Sequence, residues 1–434
     1  MNRSTTTASD ARLAAPGTRR YLLITHVPFG RGATAATYRL GDMWLEDLRA
    51  QRRALGGVCS LLVAAPLLDH LDEQTSGSFN LADFDPRREA IEYVPLPAYG
   101  TWREFVRVRP ALRRALVEAL RRCDVVQADY GGHPVSLGQV AWPLAGHLQK
   151  TRIWLFDGAD PFPRLERAVA ADRNPVTRAL RRGLVTRFAA FCRRAVTEAD
   201  LVFAHNHAVA ARFADVWTER CHLFPRSFVR DELLVSDAAL QARHATLRRR
   251  DRPLRLVAAG RQITIKGTDH VLRALAALRR AGVEMEFVVI GDGEDLSAFK
   301  QLAADLGLGD AVRFVGVVPY GAPLFDQWDQ ADVMVITNLT AEISRNVLLA
   351  MARGLPVVLY RNPGTDALVE GHDAALLVPT GDIEALAATL RRIHDDRDLL
   401  GRVSTNGLAL ARTHTLEGCH RARARLVAQC LGIT

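Results

Sequence analysis

Between Leu254 and Tyr360 the chain alternates short apolar runs with helical stretches, and this alternation limits the fold more than any other feature of the sequence. LRLVAAG (254–260) has strand length and ends in glycine; EFVVIG (286–291), VRFVGVV (312–318), ADVMVIT (331–337) and LPVVLY (355–360) follow it, with helical periodicity between them. Strands spaced by helices build a parallel sheet covered on both faces. Ligands of such sheets sit beyond the carboxyl ends of the strands, which is where Gly260, Arg261, Lys266, Gly291 and the 338–349 segment fall. Two fixed cations beside a helix N-terminus suit a diphosphate.

The N-terminal half follows the same plan. RYLLITHVPFG (20–30) reads as its first strand, with a loop holding Gly30 and Gly32 and then a helical pattern through Tyr38, Trp44, Leu45 and Leu48. VCSLLVAAP (58–66), EAIEYVPLP (89–97), DVVQADY (124–130), TRIWLFDG (151–158) and DLVFAHN (200–206) supply the remaining strands. Two of these end in polar clusters, Asp129 and Tyr130 before Gly131-Gly132-His133, and Asp157 before Gly158-Ala159-Asp160. Aspartate and glycine at strand ends serve either a ligand or only a turn or helix cap; Asp157 is taken as a site residue and His133 is not.

At 434 residues the chain exceeds the size at which single cores stop growing, so two domains are expected. The boundaries read as a disordered tail (1–19), a Rossmann-like domain (20–228), a charged linker (229–253), a second Rossmann-like domain (254–412) and a terminal helix (413–434). Hydrophobic content of 48% with a mean hydropathy of -0.01 fits a globular enzyme. There is neither a membrane-span-length apolar run nor a signal-peptide pattern, so a cytoplasmic location is expected, in which the six scattered cysteines stay reduced. The formal charge of +9 is almost all arginine, the only lysines being Lys150, Lys266 and Lys300. Positive excess favours anionic partners, but no aromatic platform or recognised motif accompanies it, so nucleic acid is not expected. Stretches 103–123, interrupted by Pro110, and 174–195 combine arginines with aliphatics at helical spacing; they either lie peripherally on an anionic membrane or pack one face on the core.

AAGRQITIKGTDHVLRAL, VIGDGEDLSAFKQLAADLGLGDAVRFVGVVP, QADVMVITN, LLAMARGLPVV and LLVPTGDIEALAATL occur in series, and in that order and spacing the C-terminal two fifths of the chain resembles the retaining family 4 glycosyltransferases. The resemblance implies an α/β protein of two Rossmann-like domains facing a cleft, the GT-B type, whose final helix returns to the N-terminal domain. It implies a nucleotide-sugar donor held by the C-terminal domain and a glycan, lipid-linked or small-molecule acceptor at the N-terminal one. Arg261 and Lys266 match the family's cation pair, which stabilises the leaving diphosphate in place of a metal, so no metal or other cofactor is expected. The loop of Gly30 and Gly32 would approach donor sugar and acceptor, and Asp157 would face the acceptor and sugar. In TNLTAEISRNVLLAM (337–351), Ser344 or Asn346 would cap a helix whose first amides, with Arg345 beside them, meet the donor. The family's two glutamates, with seven residues between them, are here Ala341 and Leu349; Glu342 is one residue out of register and would take part of the first one's role. Intact cations favour catalysis, the lost glutamates favour a degenerate binding or partner subunit, and phosphate in place of the nucleotide is a third possibility.

Overall fold

The computed structural model describes residues 19–72, 75, 80–131, 135–158, 160–205, 207–224, 227–340 and 343–433. Most of the expected tail, His133, Ala341 and Glu342 lie outside the described residues. The chain divides into two compact units, Met1–Arg226 with Cys419–Thr434, and Ser227–Gly418.

The first unit contributes β1 (Arg19–Ile24), β2 (Phe29–Arg31), β3 (Tyr38–Gly41), β4 (Cys59–Leu68), β5 (Leu81–Phe84), β6 (Glu92–Pro97), β7 (Val125–Asp129), β8 (Thr151–Phe156), β9 (Leu201–Ala204) and β10 (Cys221–Leu223). They form one sheet in the order β10, β9, β8, β7, β1, β4, β2, β3, β5, with β6 also on β4. Its core is parallel, with Tyr21 beside Leu61 on one side and Val125 on the other. The strands beside β1 are buried on both faces, which is why their sequences are continuous rather than alternating apolar runs. Trp142 and Trp154 fill one face at 5.1 Å between ring centroids, and Phe29, Tyr93 and Phe84 pack on the other.

Two expectations change here. Gly30 lies in β2 rather than a loop, and Tyr38 lies in β3; β2 and β3 form an antiparallel hairpin, and the helix starts only at Asp42. Aromatic packing of Tyr38 on Tyr93, 4.6 Å apart, overrides the helical spacing. The basic helix of 103–123 runs unbroken through Pro110 as Trp102–Arg121, secured at its start by a capping box between Thr101 and Glu104.

The second unit holds β11 (Leu254–Ala259), β12 (Met285–Ile290), β13 (Val312–Gly316), β14 (Val333–Ile336), β15 (Val357–Tyr360) and β16 (Leu376–Val378). All its pairings are parallel, in the order β13, β12, β11, β14, β15, β16. The chain therefore winds outward from β11 in one direction and then the other, leaving a topological switch point between β11 and β14. The charged 229–253 stretch, read as a linker, belongs to this unit and carries the helix Asp237–Leu247, which buries Leu240 and Leu247. Its arginines are used as ties: Arg243 donates to the Ala331 carbonyl at 2.8 Å, and Arg252 makes two 2.7 Å bonds to the buried Asp332 carboxylate. Charge density marked solvent in the sequence, whereas these cations are paired.

The terminal helix Leu416–Cys430 groups with the first unit from Cys419 onward. Ala424 and Val427 enter that unit's core beside Tyr21 and Phe203, and Arg423 stacks on Phe203 and Phe224. Among the described residues no helix is long and apolar enough to cross a membrane.

Candidate active site

The second unit's switch point is built from a loop that three separate ties hold in shape. Gln262, nearly fully buried, donates from Nε2 to the carbonyls of Gly260 and Ile290 and accepts from Thr268 Oγ1 at 2.9 Å. Asp295 Oδ2 accepts from the amide and hydroxyl of Thr264 at 2.6 and 2.7 Å, and these bonds hold the Asp295 carboxyl below the usual carboxylate range. Thr337, just past β14, donates to the Lys266 and Gly267 carbonyls, both at 2.9 Å. Gly267 sits at φ +69, and a Cβ there would lie 2.3 Å from the Thr337 carbonyl oxygen. Only glycine permits both that backbone conformation and that approach.

On this frame Arg261 is exposed directly after β11, and Lys266 is half-buried one residue before the glycine that opens the helix Thr268–Arg280. Both cations thus stand at the carboxyl edge of the central strand, beside a helix N-terminus. Gly260 and Gly291 meet back to back, the Gly260 carbonyl oxygen lying 2.0 Å from where a Gly291 Cβ would be. Asn346 donates to the Ala259 carbonyl at 2.7 Å, and Ser344 accepts the Asn346 amide at 3.4 Å, so the start of helix Asn346–Ala352 is fastened to the end of β11. Arg345 is exposed, with its guanidinium 5.1 Å from the Phe228 ring centre. Gly260, Arg261, Lys266, Gly291, Ser344, Arg345 and Asn346 are therefore in the same unit and mostly at one sheet edge. Gln262, Thr337 and Asp295, which fix that edge, were not singled out in the sequence, because their partners are known only once the loop, β12 and β14 are brought together.

Leu349 is 4% exposed, packed in the aliphatic core of the second unit with Met334, Val357 and Leu359. Its burial contributes about 1.5–3 kcal/mol. The position has become part of the core.

Residues 253–396 match the family described as Glycosyl transferases group 1. That segment is a glycosyl transferases group 1 domain. The chain is 31% identical over 172 residues to an amylovoran biosynthesis glycosyltransferase of Erwinia amylovora, covering 38% of this chain and 42% of that one. It is 29% identical over 178 residues to an alpha-D-kanosaminyltransferase of Streptomyces kanamyceticus, covering 40% of this chain and 46% of that one. The matches thus span less than half the length of these two relatives. Over the whole fold, Anabaena HepE, solved in complex with UDP, superposes with a TM-score of 0.64 at 15% identity, covering 94% of this chain and 100% of that one. The two α/β units are accordingly of the GT-B type.

In the first unit, Gly30 is fixed by packing, since a Cβ there would fall 2.5 Å from Leu71 Cβ. Gly32 lies beyond β2, its amide bonded to the Thr37 carbonyl at 3.0 Å. Asp157, just after β8, is largely buried: its side chain lies 3.5 Å from His205 Nε2, and its carbonyl accepts from Tyr130 Oη at 2.5 Å. Burial raises the Tyr130 phenol, which keeps it a hydrogen-bond donor. His205 Nδ1 meets the Phe224 carbonyl at 2.7 Å. A second histidine and carboxylate, His26 and Asp129, pair at 3.1 Å at the ends of β1 and β7. His26 was missed in the sequence because a single histidine after a strand is indistinguishable from a loop residue.

Proposed function

We propose that the chain is a retaining, metal-independent glycosyltransferase that moves a sugar from a nucleotide-sugar donor to a glycan, lipid-linked or small-molecule acceptor. The observation that carries this reading is the placement of Arg261 and Lys266 at the switch point of the group 1 domain's sheet, on a loop held by Gln262, Asp295 and Thr337. As the anomeric carbon–oxygen bond breaks, charge grows on the departing diphosphate. Fixed guanidinium and ammonium groups gain value as it does so, and the N-terminus of helix Thr268–Arg280 adds its dipole. Ser344, Arg345 and the start of helix Asn346–Ala352 approach the donor from the end of β14, and Glu342 takes part of the role of the family's first glutamate; the open backbone at Gly260 leaves room for the donor. Asp157, with Gly30 and Gly32, serves the acceptor side. With Leu349 committed to the core, the nucleoside is held without an acid at that position.

The test is release of nucleotide from a panel of UDP-, GDP- and ADP-sugars with and without chelator. Turnover of one nucleotide class that chelator leaves unchanged supports the reading; nucleotide binding without turnover would point to a binding subunit. Retention is read from the anomeric configuration of the product by NMR.

The acceptor-side unit also carries a surface suited to an anionic membrane. In helix Pro175–Glu198, Val176, Leu180 and Leu184 are exposed at successive turns, between Arg178, Arg181, Arg182 and Arg187. An apolar stripe edged by arginines fits the headgroup boundary of anionic lipid. Co-sedimentation with phosphatidylserine vesicles at low salt, lost on neutralising Arg178, Arg181 and Arg182, is the expected result; no binding at low salt would remove this part of the reading.

A further inference from the structure

Helix Trp102–Arg121 of the first unit presents a face of arginines. Its other face, Phe105, Leu112, Leu116 and Leu120, joins Leu96 of β6 and Val126 of β7 in one core, which accounts for the helical spacing of its apolar residues. Outward stand Arg103, Arg107, Arg109, Arg113, Arg114 and Arg121, all exposed. Among the described residues none of these six has an ion pair, whereas Arg122, next in the chain, is bound to Glu92. The helix has two acids, Glu118 and Glu104, and the Glu104 carboxylate already accepts the Gly100 and Thr101 amides. On helix Pro175–Glu198, by contrast, Arg181, Arg193 and Arg194 are paired with Asp172, Asp215 and Glu198.

The arginines are ordered. Arg103, Arg107, Arg114 and Arg121 fall within about 40° of one another around the helix, in a row about 27 Å long, with Arg109 and Arg113 to one side. Arg113, Arg114, Arg121 and Arg122 line an open groove of about 690 Å³ whose single acid is Glu118. At the other end Trp102 is 50% exposed, braced edge-on by Phe105 at 6.2 Å. The helix follows β6 and precedes β7, which run parallel in the sheet, so Trp102 stands at the carboxyl edge that carries Asp157, and Arg121 at the opposite edge. A bond from Tyr99 Oη to the Val135 carbonyl at 2.7 Å ties the start of the helix to the segment after β7. Exposed large apolar side chains are confined to Trp102 and Val106, so the helix has no stripe along its length to sink into a bilayer. A row of cations with one aromatic at the ligand edge fits a linear polyanion built of sugars. Arginine forks pair with carboxylates, and the C–H face of a pyranose stacks on indole.

We propose that this face is a binding track for an acidic polysaccharide, its uronate carboxylates on the arginines and a sugar ring on Trp102, the chain running outward from the acceptor edge of the first sheet. The proposal rests on the glycosyltransferase reading and narrows its acceptor to a carboxylate-bearing glycan. The track holds the polymer while its end is extended.

Fluorescence anisotropy of end-labelled polygalacturonate, titrated with full-length protein at low and at physiological salt, tests this, with labelled dextran as the uncharged chain. Polygalacturonate should bind, more weakly as salt rises, and dextran should not. Arg114→Ala/Arg121→Ala should weaken binding about tenfold or more and flatten its salt dependence. Trp102→Ala should weaken it severalfold with the salt dependence unchanged, because stacking on the indole involves no ion pair. Arg248→Ala/Arg249→Ala removes two cations already paired with Asp398 and Asp251 and should leave the affinity as in the wild type. Thermal unfolding checks that each variant is folded. Equal loss in the two double variants would reduce the effect to net charge and overturn the proposal, as would absence of polygalacturonate binding at low salt. Phosphatidylglycerol vesicles bound in place of polygalacturonate would assign the row to a lipid surface and likewise overturn it. Failure of every nucleotide sugar to turn over would instead count against the glycosyltransferase reading, and the titration would still decide the track.

Discussion

The two sheets branch in the same way around their first strands and place opposite chemistry at the branch. Beyond β11 stand Arg261 and Lys266 on a loop held by polar side chains, Gln262 and Thr337 bonding backbone carbonyls and Thr264 the Asp295 carboxylate. Beyond β1 and its neighbours stand His26 with Asp129 and His205 with Asp157. One edge is cationic, and the other pairs imidazole with carboxylate. Topology decides where a ligand sits, and a handful of side chains after the strands decide which ligand it is.

The largest effect that would sharpen this contrast comes from Lys266→Ala. Steady-state kinetics with the donor found by screening should show kcat/KM falling about a hundredfold or more, as when an oxyanion donor is removed, with most of the loss in kcat. Wild-type-like turnover would show that the second edge does not hold the leaving group.

Gly267→Ala comes next. The side chain would have to occupy a left-handed backbone and a space 2.3 Å from the Thr337 carbonyl, at a cost of about 1–3 kcal/mol. Amide exchange along 260–268 should accelerate while exchange in β1 and β7 of the other unit stays as in the wild type. Equal acceleration in both units would break the comparison, because the two edges would then not be independently built.

Asp295→Asn should be milder, weakening donor binding severalfold through a looser Thr264. The sign of its pH dependence follows from its depressed carboxyl. A carboxyl lowered in the folded state contributes above its ordinary range and is lost as pH falls through the lowered value. Wild-type donor binding should therefore not titrate through Asp295 between about pH 5 and 8, and the variant's deficit should be constant across that window. A deficit that vanished toward pH 5 would contradict the assignment.

The contrast also explains what could be read in the sequence. The second sheet was legible because its strands are continuous apolar runs ending in glycine or a polar turn, and Arg261 and Lys266 follow one of them at short range. The hairpin of β2 and β3 was not, because Tyr38 keeps helical spacing with Leu45 while its ring is claimed by Tyr93 and Phe84, distant in sequence. Helix Asp237–Leu247 was hidden by charge, since the sequence cannot show that Arg243 and Arg252 find Asp329, Asp332 and a backbone carbonyl. The His26–Asp129 pair spans more than a hundred positions and exists only once β1 and β7 are neighbours. Residues acting through local spacing announce themselves, and those acting through strand order do not.

Calorimetric titration of UDP, GDP and ADP into the wild type and into Arg261→Ala/Lys266→Ala tests most directly whether the second sheet's edge is the nucleotide site. The account predicts that one of the three binds the wild type and binds the double variant at least about tenfold more weakly, each lost charge-assisted bond to phosphate contributing to the deficit. Equal affinity in the two proteins would contradict it.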